Sequence, residues 1–562
     1  MQKKKETKKI SSMDMLRKLK PYLNLTFLQG SIILLGWLSE MLITMFRPKM
    51  IGLLTDEGLI HQDYTRLCIW LGALVCVSLI AYGNEIIHAN VFARVGRQFA
   101  RNLHQASFEK MMRIPISYLQ KRNPAEVFST MNVDINQITR LADNSSFRTI
   151  VFLFQLAGGL IGLVSLNYVM ALAVLAVIPI KQITILKFAK NKNQLSDLYI
   201  REWQGFSEWY GAQVDGMQEI KLWNLYSRKT QEFGKQYNKF LHLSYQVAIW
   251  DSIERGAEQC LNLLLEVVIY LGCGYWVCSG RMSVGNAIAF LSYASYVSGP
   301  YGVIAQIPYI WADIRPSIER FLNFLDIEEE QLEGIEMNTG EETETPAVEF
   351  RNVTFGYNEE HTVLENISLK IKRQEKIAII GDNGEGKSTL IHLLLGLLIP
   401  KTGTIFFKEN TMDDMGLIRW REHFSLVSQK PYLFPDTIKN NIDLEEQKSI
   451  KELEDLLSCY GMGTFIEKFH GGMSYRIIGN SANLSGGERQ KISFLRAMSK
   501  EADIVILDEG FSNCDEETRK LCRRILLDPD LPKTVILISH YEEDIRGVDR
   551  IYKLKNHQLF KL

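Results

Sequence analysis

The chain has 562 residues, too many for one hydrophobic core, so more than one domain is expected. Lys and Arg (64) almost balance Asp and Glu (65), and the net charge of −1 excludes a strongly basic nucleic-acid binder. The eight cysteines form no CxxC pair and no Cys/His metal pattern, which points to buried thiols in a reducing compartment rather than to disulfides or a zinc site.

The N-terminus opens on Lys3-Lys4-Lys5, some way before the first long apolar run, and no small-residue cleavage site follows. That run reads as an uncleaved membrane segment. Leu25 to Phe46 is the first candidate span, with Pro48 just beyond it. At 1.5 Å per residue it reaches about 33 Å, enough for a bilayer core. Leu67 to Ala89 is the second, Phe147 to Leu166 the third, and Tyr168 to Phe188 the fourth. Glu258 to Cys278 is the fifth, and Val284 to about Trp311 the sixth, interrupted by Gly299-Pro300. Gly158, Gly159 and Gly162 on the third allow close helix contact.

Lys and Arg set the orientation. The segments between spans two and three (Arg94 to Arg148) and between spans four and five (Lys187 to Lys229) are rich in them, whereas the hairpin between spans three and four has no charge and that between spans five and six has only Arg281. The basic segments and both termini are therefore expected in the cytoplasm. Each basic segment continues the helices below the bilayer and needs a turn at its tip, supplied by Arg122-Asn123-Pro124 and by Gly211 to Gly216. Glu40, Glu85, His88, Lys181 and Glu266 are ionisable groups within the spans. They either line a polar cavity that prefers cationic cargo, with Glu266 and then Glu40 the leading contacts, or pair between helices and near the interfaces.

Asp326 to Pro346 is acidic and polar and reads as a solvated linker. Beyond it, Val348 to Tyr357 and Ile367 to Ile371 read as paired strands. Ile377–Ile380, Phe424–Val427, Ile504–Leu507 and Thr534–Ile538 are almost wholly apolar, the pattern of parallel strands covered on both faces.

Gly381-Asp382-Asn383-Gly384-Glu385-Gly386-Lys387-Ser388-Thr389 fits G-x-x-x-x-G-K-[ST] between a strand and a helix. Its glycines let backbone N–H groups close around phosphate, Lys387 reaches the terminal phosphates, and the Ser388 hydroxyl suits Mg²⁺. Asp508 and Glu509 end an apolar strand, the first suited to Mg²⁺ and the second to general-base work on water. Gln429 also stands at a strand end, within reach of Mg²⁺ or the attacking water. His540 ends another strand, as a γ-phosphate contact or as a structural histidine. Leu484-Ser485-Gly486-Gly487-Glu488 places glycines before a second helix N-terminus, a second anion site. One nucleotide has little use for two such sites in one chain, but two chains face to face can share them.

These motifs resemble those of an exporter-type ATP-binding cassette half-transporter with fused transmembrane and nucleotide-binding domains, over nearly the whole chain. The resemblance implies an all-α six-helix transmembrane domain (1–325), the acidic linker (326–346) and an α/β P-loop NTPase domain (347–562). It implies ATP and Mg²⁺ as cofactors, a lipid bilayer, a second copy of the chain as partner (or a related chain), and no nucleic acid. It implies that Tyr357 stacks on adenine, that Gly381 to Thr389 hold the phosphates, and that Gln429 couples Mg²⁺ to the membrane domain. Ser485, Gly486 and Gly487, followed by Glu488, would close over the partner's nucleotide, with Glu509 as catalytic base and His540 as switch. The expected activity is ATP-driven export of a peptide-like, lipid or drug-like amphiphile across a plasma membrane. An importer on the same fold and an ATP-gated channel are the alternatives. Three departures stand out: Glu488 where Gln is usual, Ser512-Asn513-Cys514-Asp515 where Ser-Ala-Leu-Asp is usual, and a shortened Ile478–Ala482 segment.

Overall fold

Apolar runs longer than a bilayer core become single long helices, because only a helix satisfies every backbone group without water. The computed structural model describes residues 11–120, 124–142, 144–334, 346–357, 361–481, 483–539 and 545–562. The chain divides into two compact units, Met1–Phe108 with Ser129–Leu325, and Glu109–Phe128 with Asp326–Leu562.

The first unit is helical. Its long helices are α1 (Phe27–Leu53), α2 (Tyr64–Arg113, whose last turns belong to the second unit), α3 (Asn144–Leu166), α4 (Tyr168–Asp215), α5 (Tyr226–Cys278) and α6 (Val284–Leu325). Among the described residues, four helical stretches are long and apolar enough to cross a membrane: Phe27–Ile60, Tyr64–Arg113, Thr149–Leu166 and Tyr226–Cys278. Tyr168–Val177 is a shorter apolar piece. The six expected spans are thus matched only in part. In α6, Asn286 and the serines and tyrosines from Ser292 to Ser298 dilute the apolar character.

Two boundaries differ from expectation. The first helix does not stop at Phe46 but continues through Pro48 to Leu53, followed by a π-helical turn over Leu54–Ile60. The second tip lies at Gly216 alone, since Gly211 is inside α4, and a short helix Met217–Leu222 follows. Arg122 and Asn123 lie outside the described residues, and a helix starts at Pro124, where a missing N–H costs nothing.

Spacing explains the packing within this unit. Tyr199, Trp203, Phe206 and Tyr210 recur along one face of α4, and Phe233, Tyr237 and Phe240 along one face of α5. Their rings meet at centroid distances of 4.8 to 6.0 Å for Trp203–Phe240, Phe206–Tyr237 and Phe206–Tyr210. The small-residue stripe of α3 lies against α1 and α6: a methyl at Gly158 would meet Met45 at 3.3 Å, and one at Gly159 would meet Val297 at 3.0 Å. Buried Asp134 accepts both Nε (3.0 Å) and Nη2 of Arg320, which keeps its charge satisfied. All eight cysteines are free, yet only Cys273, Cys514 and Cys522 are buried; Cys68, Cys76, Cys260 and Cys278 sit on outward helix faces.

The second unit contains two sheets. A four-stranded antiparallel sheet has the order β2 (Leu364–Ile371), β1 (Val348–Phe355), β4 (Thr402–Phe407), β5 (Asn410–Thr411). The six-stranded sheet has the order β10 (Gln558–Lys561), β9 (Arg550–Lys555), β3 (Lys376–Ile380), β8 (Thr534–Ile538), β7 (Ile504–Asp508), β6 (Phe424–Val427). β9, β3, β8, β7 and β6 run parallel. Ile377, Ile379, Ile504, Ile506, Ile536 and Ile538 face one core, and Ala378, Val505, Leu507, Val535 and Leu537 the other. Cover on both faces accounts for the unbroken apolar runs.

The acidic segment from Asp326, which belongs to this unit, is not simply solvated. Glu329 pairs with Lys110 at 2.9 Å, and Glu330, whose side chain is 10 % exposed, receives both outer nitrogens of Arg421 at 2.9 and 3.2 Å. Backbone contact fixes the same stretch, as Glu330 N donates to the Arg113 carbonyl at 2.8 Å. Residues 335–345 lie outside the described residues.

A methyl on Gly162 would fall 2.4 Å from the Tyr293 ring, and that ring cannot swing away while its hydroxyl donates to the Met45 carbonyl. Gly162→Ala is therefore expected to cost about 1–3 kcal/mol. Gly158→Ala, whose methyl would meet Met45 Cγ at 3.3 Å, the Met41 carbonyl at 3.5 Å and Thr44 Cβ at 3.6 Å, close to ordinary contact, should cost less. Thermal unfolding in detergent compares the two, and equal midpoints would contradict this packing.

Candidate active site

The phosphate-type loop is set by the end of β3 and by α7 (Lys387–Leu394). Gly384 (φ 89°) and Gly386 (φ 103°) occupy the left-handed region, where a side chain would be strained. Lys387 is buried and curls back over the loop, its Nζ donating to the carbonyls of Gly381 (2.7 Å) and Asp382 (3.0 Å). Burial pushes its ammonium below the usual lysine range, opposed by the carboxylates of Glu509, Asp508, Asp382 and Glu385. Asp382, Asn383 and Gly384 are exposed on the loop, and Glu385 is half-buried.

Register carries the opposite wall to the same edge. β8 lies between β3 and β7, with Ile377 beside Ile536 and Ile506 beside Ile536 from the other side. Asp508 ends β7 and accepts the Ser388 hydroxyl at 2.9 Å. Burial raises the Asp508 carboxyl above the usual carboxylate range; the Ser388 bond lowers it again in part, and the Glu509 charge adds to the rise. Glu509 follows with φ 49°, a strained backbone for a non-glycine residue, and is pinned by its N–H on the Ile538 carbonyl at 3.0 Å. Its Oε2 accepts the Gln429 amide at 2.6 Å. Three segments far apart in sequence thus meet at one strand edge.

Tyr357 is 46 % exposed, stands edge-on against Phe355 at 5.2 Å, and lies with its hydroxyl 3.3 Å from the Thr389 hydroxyl. Its exposure leaves the side chain open to a ligand. His540 lies outside the described residues; Ser539 before it is buried.

Ser485 caps α8 (Gly486–Ser499). The Glu488 carboxylate accepts both the Ser485 N–H and the Ser485 hydroxyl at 2.8 Å, and its own N–H donates to the Ser485 oxygen at 3.3 Å. The unusual Glu488 therefore closes a capping box, a pattern readable in Ser485-x-x-Glu488. Asn513, another departure, packs its side chain 3.3 Å from where a methyl on Gly486 would stand.

Sequence reasoning passed over Gln490. It is fully buried on α8, and its Nε2 donates to the Gln429 carbonyl (3.3 Å) and the Ser512 hydroxyl (3.2 Å). Its Oε1 accepts the Asn513 N–H (2.9 Å), with the Cys514 Sγ at 3.5 Å. One amide thereby ties the Gln429 loop, the start of α8 and the segment after Glu509 together. The signal was a Gln on the helix face that continues as Phe494 and Ala497, where a polar group must have partners.

In the helical unit, Glu40 and Glu85 line one cavity with Arg47, Asn84 and Gln155. Glu266 is exposed on α5 and is not among the lining residues. His88 is buried with its ring against Gly36. The Lys181 side chain is outside the described residues.

Residues 364–512 match the ABC transporter family, and residues 30–301 match the ABC transporter transmembrane region. The chain is 25% identical to an uncharacterized ABC transporter ATP-binding protein of Bacillus subtilis (strain 168), over 97% of this chain and 94% of that protein. It is 24% identical to a multidrug resistance ABC transporter ATP-binding and permease protein of Lactococcus lactis subsp. lactis, over 84% and 80%. It is 23% identical to an ATP-dependent lipid A-core flippase of Syntrophus aciditrophicus, over 93% and 86%.

Gln490→Leu keeps the volume near that of Gln but strips the Asn513 N–H of its acceptor, a loss of about 1–3 kcal/mol. The expected result is a fall in kcat of roughly tenfold with KM for nucleotide little changed, because nothing in the Lys387 loop is touched. Steady-state hydrolysis of the purified full chain measures it; an unaltered kcat would show that the three segments are positioned without this amide.

Proposed function

Because this chain belongs to the ABC transporter family, with a transporter transmembrane region and an ATP-hydrolysing cassette in one multi-pass membrane polypeptide, we propose that it works as one half of a symmetrical exporter. On this reading six helices per chain cross a plasma membrane, with both termini and the cassette in the cytoplasm. Two copies sandwich ATP, and the substrate is a lipid-like, drug-like or peptide-like amphiphile. The names of the relatives in Lactococcus lactis and Syntrophus aciditrophicus, a multidrug transporter and a lipid A-core flippase, favour an amphiphile.

The observation that carries the reading is the pair of contacts at the end of the parallel sheet, Ser388 to Asp508 at 2.9 Å and Gln429 to Glu509 at 2.6 Å. A hydroxyl, a carboxylate and an amide oxygen side by side are the hard oxygen donors that Mg²⁺ takes, and burial of Asp508 leaves its charge in want of a cation. Among the described residues no group of three or more His, Cys, Asp and Glu forms a separate metal cage. Ser388, Asp508 and Gln429 are therefore the residues that would hold Mg²⁺. When bound, the ion would neutralise phosphate charge as it develops.

The residues divide the remaining work. Tyr357 offers its exposed ring to adenine. The loop from Gly381 to Thr389 wraps the phosphates, and the Lys387 ammonium exchanges its two carbonyl partners for phosphate oxygens. Gln429 must release the Glu509 carboxylate before that carboxylate can take a proton from water. Because Gln490 joins the Gln429 carbonyl to α8, a shift of Ser485, Gly486 and Gly487 onto the partner's nucleotide is transmitted to the base. His540 is assigned the γ-phosphate contact that follows β8.

Glu509→Gln keeps size and hydrogen bonding but removes the base. ATP binding should persist, while hydrolysis falls at least a hundredfold, in line with the roughly 10²–10⁴ supplied by a positioned base. ATP-dependent movement of an amphiphile in proteoliposomes should stop with it. Continued movement in that variant would instead indicate a pore opened by ATP binding alone.

A further inference from the structure

Within the helical unit, a cavity of about 230 Å³ opens between α1, α2 and α3. Its walls follow from spacing. Glu40 and Arg47 lie seven residues apart, on one face of α1. Ser78, Tyr82 and Glu85 recur at four and three residues on α2, and Val151 and Gln155 at four residues on α3. Three amphipathic faces that would be unfavourable in lipid are thus turned toward one another.

Charge and hydrogen bonding within the cavity do not cancel. Two carboxylates and one guanidinium line it, which leaves one negative charge when all are ionised. The amide side chains of Gln155 and Asn84 line the same cavity as the Glu40 carboxylate, with Glu85 and Arg47 as its charged neighbours of opposite sign. Asn84 is itself fixed, donating to the Gly36 carbonyl at 3.3 Å. Amides carry no net charge, so the balance of the lining is set by Glu40, Glu85 and Arg47. Tyr82 and Phe152 also line it, aromatic side chains of the kind that attract a cation and tolerate its methyl groups.

We propose that this cavity is the headgroup subsite of the transported molecule, and that it selects amphiphiles bearing a single positive charge, such as a protonated or quaternary amine. The inference rests on the membrane-transport reading above and narrows its substrate class. The volume is below the 300–1,000 Å³ of sites that enclose a whole drug-sized ligand, so the cavity takes the head while the tail lies along the apolar helix faces. Exposed Leu34, Leu35 and Leu38 on α1 and Leu79 and Ile86 on α2, the helices that wall the cavity, supply such faces.

The test uses the full chain in lipid nanodiscs without nucleotide. Calorimetric titration compares dodecyltrimethylammonium with dodecyldimethylamine oxide, which has the same tail and a dipolar head of zero net charge, after subtraction of empty nanodiscs. Wild-type protein should bind the cation about tenfold more tightly. Glu40→Gln and Glu85→Gln should each remove most of that preference while affinity for the amine oxide stays, which also shows that the variants are folded. Arg47→Gln makes the lining more negative and should widen the preference. Equal affinity for the two heads in the wild type, or full preference retained in Glu40→Gln, overturns the proposal. Should Glu40→Gln lose both ligands, Arg47→Gln decides: a wider preference supports the subsite, and an unchanged or narrower one overturns it. Since no ATP is present, these outcomes are separate from failure of the transport reading, which would show as absent ATP-driven movement in vesicles.

Discussion

The register of β3, β8 and β7 in one parallel sheet is the constraint from which the hydrolytic site follows. Ile504, Val505, Ile506 and Val535 are fully buried. Each is worth about 1.5–3 kcal/mol of burial. A slip of one residue would turn each onto the opposite core, so the alignment of strand ends is strongly fixed. Fixed strand ends in turn fix where Asp508 and Glu509 emerge relative to the Lys387 loop. The chemistry then needs only short contacts, Ser388 to Asp508 and Gln429 to Glu509, across distances the sheet has already set.

The cassette was largely legible in the sequence because its signals are local. Apolar runs of four or five residues ending in Gly, Gln or Asp-Glu mark buried parallel strands, and glycines before Lys387 and after Ser485 mark helix starts. What the sequence withheld depends on residues that meet only in three dimensions. Gln490 joins positions 61 and 22 residues away, and no periodicity announces that. The back-folding of Lys387 onto its own loop is likewise a property of the folded loop. Glu488 shows the reverse case, a departure from the usual motif that local capping chemistry explains.

The helical unit was harder to read, for a physical reason. Lipid rewards apolar side chains on every outward face, so hydropathy reports which helices touch lipid rather than how many cross it. Serines and tyrosines in α6 weaken that signal, and Tyr293 there instead packs against Gly162 and bonds the Met45 carbonyl. The ionisable groups divided once the helices were placed. Glu40 and Glu85 share a cavity, whereas Glu266, first choice by sequence, faces outward on α5. Helical spacing could have linked Ser78, Tyr82 and Glu85, but only packing brings that face to Glu40.

In the proposed mechanism, nucleotide is held between the Lys387 loop of one chain and the Ser485 segment of another. Tandem fusions of two copies test this directly through their ATPase rates. With Lys387→Ala in one copy and Ser485→Arg in the other, one complete site remains across the two chains, and substantial hydrolysis is expected. With both substitutions in the same copy, each shared site is damaged, and hydrolysis should fall to background. The opposite pattern, activity surviving only when both substitutions share a copy, would show that each chain completes its own site and would contradict the account.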